Sequence, residues 1–340
     1  MTSAPPEIAY APKDAERLDH FMARAAAAYY AARDPFQDFA TSPEISQAFG
    51  ECLGLWAAVA WQSMGRPDPV LLVECGPGRG SLMADALRAI AEMMPAFRAA
   101  LQVHLVETSP RLREAQAAKL GDAGVTWHED VAALPEAPMI LLANEFLDAL
   151  PIRQFIRRGS VWHERFVLDG VFVEVPSDAS LPEDAPDGAV QEVNEAALRF
   201  AGWLGVRLKR HGGAALLIDY GPAESAFGDS LQAMRAGQPV DPLSNPGEVD
   251  ITAHVDFAAF AAAARAAGAV AHGLLPQGVF LQRLGFMTRA AMLARLDPAR
   301  AQAQLAAAHR LTAPEAMGRL FKALALCDSS LPIPAGFETA

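Results

Sequence analysis

Cysteine is scarce in this sequence, lysine is nearly absent, and no apolar run is long enough to cross a bilayer. Three cysteines occur in 340 residues, at positions 52, 75 and 327, without CxxC spacing. Their scarcity and separation exclude a disulfide framework and a thiolate zinc site, and predict a reducing compartment and no bound metal. Of 28 basic residues 24 are arginine, which reads as coding bias, and 40 acidic residues leave a net charge of −12. That balance argues against nucleic acid or an anionic membrane as the main partner, and is compatible with a basic protein or peptide. No uninterrupted apolar stretch approaches the roughly 20 residues of a spanning helix. The opening lacks a basic segment followed by an apolar one, and carries Glu7, Asp14 and Glu16, acids that a transit peptide avoids. The expectation is a soluble, cytoplasmic protein. Internal repeats and low-complexity tracts are also missing, beyond general alanine richness.

What is present is an ordinary globular balance, 52% hydrophobic and 20% charged, in a chain long enough for one large or two modest domains. Residues 14–33 read as a helix. A second starts at "TSPEISQAFGECLGLWAAVAWQSMG", with Ser42 as cap, Pro43 at the first helical position and Gly65 as terminator. Apolar runs then alternate with helical patterns. "VLLVE" (70–74), "VHLVE" (103–107), "VTWHE" (125–129) and "MILLA" (139–143) read as strands, with helices near 81–94 and 109–121. Such runs predict a parallel sheet buried on both faces. "IRQFIR", "VWHERFVL" and "VFVEV" form an antiparallel meander, followed by a helix over about 190–210. "AALLIDYG" (214–221) restores the buried strand, residues 222–255 read as a long lid-like loop, and a strand pair near 270–284 precedes a helical tail. The division is an N-terminal helical segment (1–66) and a Rossmann-like α/β domain (67–340), interrupted by the insertions 151–211 and 222–255.

The segment "ECGPGRG" places Gly76, Gly78 and Gly80 at alternate positions behind Glu74. It is not the GxGxxG of dinucleotide folds, and "GRGSLM" lacks the Lys-Ser/Thr pair of a phosphate loop. S-adenosylmethionine is the remaining common occupant. It carries no phosphate, so Glu74 can favour its ammonium and sulfonium charges. Glu107, at the end of the second strand, can accept both ribose hydroxyls, and Asp130, after the third, can accept from the adenine amino group. Three strand ends in order offer ligand-facing groups at the carboxyl edge.

With these residues in place the chain resembles the MidA-type S-adenosylmethionine-dependent methyltransferases, a family that includes a mitochondrial assembly factor of respiratory complex I that methylates an arginine. The resemblance runs through "SPEISQAFGECLGLW", "VECGPGRGSLMADALR", "LLANEFLDALPIRQF", "LLIDYG", "GEVDITAHVDF" and "LFKALAL". It departs at "DPFQDF" (34–39), where the family's glycine-bearing loop is compressed. The resemblance implies an α/β fold with a Rossmann-like class I methyltransferase sheet, N-terminal helices and an inserted antiparallel meander. It also implies S-adenosylmethionine as cofactor and a protein arginine as acceptor, on a complex I subunit whose assembly the methylation aids. The rivals are a small-molecule methyltransferase and a non-catalytic, cofactor-binding assembly factor.

"ANEFLDALP" follows the fourth strand, across the carboxyl edge from the glycine loop, and clusters Asn144, Glu145 and Asp148. Carboxylates there can offset the repulsion between an arginine guanidinium and a sulfonium and orient the planar fork. Glu145 and Asp148 can equally cap the next helix. "DITAHVDF" adds His254 as a candidate for substrate contact and Asp256 as a helix cap. Asp219 and Tyr220 end the fifth strand near the same cleft.

Overall fold

The computed structural model describes residues 11–32 and 41–338. The DPFQDF departure, at 34–39, lies outside the described residues. The chain divides into two units, each with its own core. The larger comprises residues 41–148, 198–224 and 255–338, the smaller 11–32, 149–197 and 225–254.

The apolar runs of the larger unit pair into one seven-stranded sheet. Its strands are β1 (Val70–Cys75), β2 (Leu101–Val106), β3 (Val125–His128), β4 (Met139–Asn144), β5 (Gly213–Tyr220), β6 (Val270–Pro276) and β7 (Phe321–Cys327), in the order β6-β7-β5-β4-β1-β2-β3. Strands β1 to β5 run parallel, and β7 lies antiparallel between β5 and β6. All six residues of β1 are buried, as a central strand covered on both faces requires. From β1 the chain builds outward through β2 and β3, then returns to the other side of β1 as β4. This reversal makes the carboxyl ends of β1 and β4 the topological switch point, where open α/β sheets bind ligands. The expected α/β sheet of class I methyltransferase type is therefore present.

Helix Gln47–Ser63 lies against helix Ser81–Met93, the helix that the glycine loop opens. The approach is close because Gly54 has no side chain: a Cβ there would lie 2.6 Å from the Ala86 Cα. Phe49, Trp56, Met83 and Ile90 are buried in the core shared with the sheet.

The smaller unit contains the expected meander, with Arg153–Arg158, Val161–Leu168 and Val171–Pro176 paired antiparallel. Helix Leu18–Ala32 begins four residues later than its expected start, because Glu16 and Arg17 pair instead with Val167 and Phe166. Leu18, Phe21, Met22 and Ala25 share a core with Ile152, Val167 and Ile251.

Four expectations need correction. Val190–Val193, read as the start of a helix, is a strand pairing with Arg153–Ile156, and the helix occupies Glu195–His211. The stretch 222–255 is not all loop, since Gln232–Arg235, Gln238–Val240 and Asp250–Thr252 form a three-stranded sheet. The strand pair near 270–284 is instead β6 with β7. Gln277–Arg283 is helical, and β7 comes from the stretch read as helical tail. Ser42 does not cap the second helix: Ser42–Ile45 is a separate turn of helix, broken at Ser46, where φ −147° and ψ 121° are extended.

Candidate active site

The glycine loop leaves β1 in the left-handed region, with φ of 65° at Gly76, 54° at Gly78 and 79° at Gly80. L side chains rarely adopt that region. At Gly76 a second constraint acts, because a Cβ would lie 3.0 Å from the Phe146 ring. That glycine is required by the protein's own packing as well as by any ligand. Gly80 then stands at the N-cap of helix Ser81–Met93, and the Met83 N–H in its first turn donates to the Glu74 carboxylate.

Glu74, one residue before the end of β1, is 3% exposed, and its Oε2 has no partner among the described residues. Burial, with the Glu107 charge adding, pushes its carboxyl up to about 8. The Met83 backbone N–H donates to this carboxylate and works against the rise, so the free Oε2, held at such a cost, points to a partner supplied from outside the chain. Glu107 follows β2, also buried. Its Oε1 accepts from the Ser109 N–H at 2.8 Å and its Oε2 from Gln116 Nε2 at 3.2 Å. Burial raises its carboxyl, and these hydrogen bonds work against the rise.

Gln116 was not among the residues singled out from the sequence, and it joins the three strand ends. Fully buried, it donates from Nε2 to the Gly78 carbonyl at 2.7 Å as well as to Glu107, and its Oε1 accepts from Trp127 Nε1 at 2.8 Å. A sequence signal existed: Leu112, Gln116 and Leu120 recur at helical spacing on the buried face of Pro110–Leu120, so a polar side chain stands between two leucines. Asp130 is exposed and its Oδ1 accepts from the Ala132 N–H at 2.7 Å, capping a short turn after β3.

Across the switch point, β4 ends at Asn144 and the chain turns sharply. Glu145 has φ 51°, a rare conformation for a residue with a side chain. The surroundings hold it there. Its N–H donates to the Ile218 carbonyl, and its Oε1 accepts from Asn144 Nδ2 and from the Ser42 N–H, each at 2.9 Å. The next three backbone N–H groups, of Phe146, Leu147 and Asp148, donate to Asp219 Oδ2 at 3.1, 2.9 and 3.2 Å. Asp219, 1% exposed near the end of β5, therefore anchors the acidic turn. Burial raises the Glu145 carboxyl to about 7, with Asp148 adding to the rise, and raises Asp219, where the charges of Asp148 and Glu145 also contribute. Asn144 Oδ1 is buried without a partner among the described residues. Strain and uncompensated polar atoms concentrate at this turn, as they do at functional sites.

Glu74, Gly76, Gly78, Gly80, Glu107, Asp130, Asn144, Glu145 and Asp148 thus all lie at the carboxyl edge of one sheet. Tyr220 ends β5 with its ring edge-on to Phe321, the centroids 5.4 Å apart. Asp256 caps helix Phe257–Ala266 as expected, accepting from the Ala259 N–H. His254 belongs to the smaller unit, where it is exposed and its backbone N–H donates to Ser230 Oγ at 2.8 Å. Among the described residues no group of three or more His, Cys, Asp or Glu side chains is arranged to hold a metal ion, and no helix is long and apolar enough to cross a membrane.

A sheet of this order, with a glycine turn after its first strand, an acid after its second and an acidic turn after its fourth, defines a nucleoside-dependent methyltransferase. Comparison with known proteins narrows the class. The model of the S-adenosyl-L-methionine-dependent methyltransferase family matches residues 52–275, and the chain belongs to that family. It is 35% identical to the Drosophila melanogaster protein named protein arginine methyltransferase NDUFAF7 homolog, mitochondrial, over 92% of this chain and 80% of that protein. Its identity to the human protein arginine methyltransferase NDUFAF7, mitochondrial, is 33%, over 92% and 79% of the two chains. A crystal structure of a superfamily member from Burkholderia thailandensis bound to S-adenosyl-homocysteine is similar at 28% identity and a TM-score of 0.79, covering 96% of this chain and 89% of that one. The cofactor is S-adenosylmethionine, and the residues of the β1 edge fit it: a turn with glycine at alternate positions, beside buried acids suited to a cation and to ribose hydroxyls. One expectation falls. The cytoplasmic location read from the opening residues is contradicted by relatives named as mitochondrial proteins.

Proposed function

We propose that this methyltransferase acts on an arginine side chain of a protein, and that the acceptor guanidinium meets it at the acidic turn after β4. On this reading Glu74, Gly76, Gly78 and Gly80 hold the amino-acid part of the donor, Glu107 its ribose hydroxyls and Asp130 its adenine amino group. Bound there, S-adenosylmethionine supplies an electrophilic methyl group on a positively charged sulfur.

The observation that carries the acceptor reading is Glu145: a carboxylate at the switch point, in a left-handed backbone conformation, aimed by the Ser42 N–H and Asn144 Nδ2. Two cations must approach in arginine methylation. At about 4 Å and an effective dielectric of about 20 their repulsion is roughly 4 kcal/mol. Glu145 and Asp148 offset it, and a carboxylate accepting two parallel N–H groups fixes the planar fork with one nitrogen turned toward the methyl group. The alkylated nitrogen must then lose a proton. A carboxyl near 7 is suited to take it at neutral pH, so Glu145 serves as clamp and then as proton acceptor. The names of the relatives, protein arginine methyltransferases, agree with this acceptor. We further infer from the family resemblance that the acceptor protein is a subunit of respiratory complex I.

Glu145→Gln tests the reading. The variant keeps volume and most hydrogen bonds but loses the charge, so calorimetry finds near-normal affinity for S-adenosylmethionine. Labelled-methyl transfer to complex I subunits falls by about two orders of magnitude, as when one preorganised electrostatic group is lost. A folded, donor-binding variant that transfers at the parental rate sinks the arginine assignment.

A further inference from the structure

The turn that supplies the Ser42 N–H is short and does not hold itself. Ser42–Ile45 is four residues long, Thr41 at its N-cap makes no side-chain hydrogen bond to it, and Ser46 breaks it from helix Gln47–Ser63. One turn of helix is far below the length at which a helix is stable alone. Burial of Ser42 and partial burial of Ile45 against the core hold it at two points. The third point is Glu44. Its Oε1 accepts from Ser81 Oγ, and Lys119 Nζ donates to the same Ser81 Oγ while lying 3.8 Å from Glu44. Ser81 is the first residue of the helix that the glycine loop opens.

Two ties two residues apart therefore span the switch point. From Ser42 the turn grips the acidic turn after β4, and from Glu44 it grips the head of the helix after β1. We propose that Glu44 is a positioning residue for methyl transfer: its bond to Ser81 fixes the Ser42–Ile45 turn so that the Ser42 N–H aims Glu145 at the acceptor. The proposal rests on the reading of Glu145 as the acceptor clamp. Glu44 acts through Glu145, and the alignment of Glu145 is thereby referenced to the same helix head that borders the donor. A side chain released by an ångström costs transfer far more than it costs donor binding.

The test compares Glu44→Ala with Glu44→Gln, since the amide oxygen of glutamine still accepts from Ser81 Oγ. For Glu44→Ala, affinity for S-adenosylhomocysteine by calorimetry stays within about threefold of the parent, while kcat falls roughly tenfold or more. Amide exchange of the peptide spanning residues 41–46, read with S-adenosylhomocysteine saturating, becomes about tenfold faster. Glu44→Gln recovers most of the rate and most of the protection. A merely structural Glu44 would lower the melting temperature and leave kcat per folded molecule unchanged, which overturns the proposal. So does a loss confined to S-adenosylhomocysteine affinity, or a folded glutamine variant as impaired as the alanine one. If Glu145→Gln is inactive while Glu44→Ala transfers normally, the positioning role fails and the clamp stands. If Glu145→Gln transfers at the parental rate, the clamp itself fails.

Discussion

Replacing Glu74 with glutamine should make the ligand-free protein more stable and flatten its response to pH. The carboxyl is 3% exposed, leaves Oε2 unpartnered among the described residues and has been raised from 4.5 to about 8. A group whose folded value exceeds its unfolded value contributes stability fully present below about 4.5 and lost as the pH rises through about 8. At about 1.4 kcal/mol for each pH unit, the loss reaches about 3 kcal/mol at pH 7 and levels off near 5 kcal/mol above pH 8. Against a total stability of roughly 5–15 kcal/mol that is a large single contribution. Glutamine carries no titrating proton, so the melting temperatures of the two proteins should nearly coincide at pH 5 and diverge steadily up to pH 8, the variant melting higher. On the proposed assignment the donor's cation favours ionised Glu74, so in the parent its binding should release a proton, measurable by calorimetry in buffers of different ionisation enthalpy. In the variant the release shrinks and affinity falls. Parallel melting curves for the two proteins from pH 5 to pH 9 would refute the reasoning.

Gly78→Val should lose measurable affinity for S-adenosylmethionine while circular dichroism stays unchanged, because a β-branched residue resists φ 54° and fills the space behind the ligand. Undiminished affinity in calorimetry would move the donor away from this loop. Asp219→Asn should cost about 1–3 kcal/mol in denaturant unfolding, since both carboxylate oxygens accept backbone N–H groups and an amide nitrogen would meet a donor. It should also speed amide exchange at residues 146–148, and unchanged exchange there would show that Asp219 is not the anchor of the turn.

The parallel strands were legible because a buried strand leaves a mark of its own: a short apolar run between helical periods. β1, β4 and β5 fall within a residue or two of their expected ends. The errors lie where pairing is decided far along the chain. Four residues, Val190–Val193, carry too little periodicity to separate strand from helix, and they are a strand because Arg153–Ile156 lies alongside. Phe321–Cys327 reads as helical tail in the sequence because its partners, β5 and β6, precede it by about a hundred and about fifty residues. At the site, the types and order of the acids were readable, since the glycine turn and the strand ends locate the carboxyl edge. The left-handed backbone of Glu145 was not, because nothing in "NEFLD" requires it. It follows from the Asp219 carboxylate gathering three N–H groups from a strand some seventy residues away.

The acids of this edge fall into two groups, and the grouping follows the strand order. Glu74 on β1 and Glu107 beside β2 form one set, in which burial raises the Glu74 carboxyl and the Glu107 charge adds to the rise. Asp219 on β5, raised by burial, is raised further by the charges of Asp148 and Glu145 after β4. The reversal between β1 and β4 divides the two sets. On the proposed assignments one set faces the donor cation and the other the acceptor cation, so each charge has its own counter-charge before the two approach. A single shared cluster would have to give up part of its stabilisation of one cation to receive the other. Burying Glu74, Glu107, Glu145 and Asp219, whose carboxyls burial pushes upward, lowers the stability of the ligand-free protein, which is the kind of cost concentrated at sites kept for function. The same cost predicts that binding of cations, at either set, draws protons off the protein and tightens it.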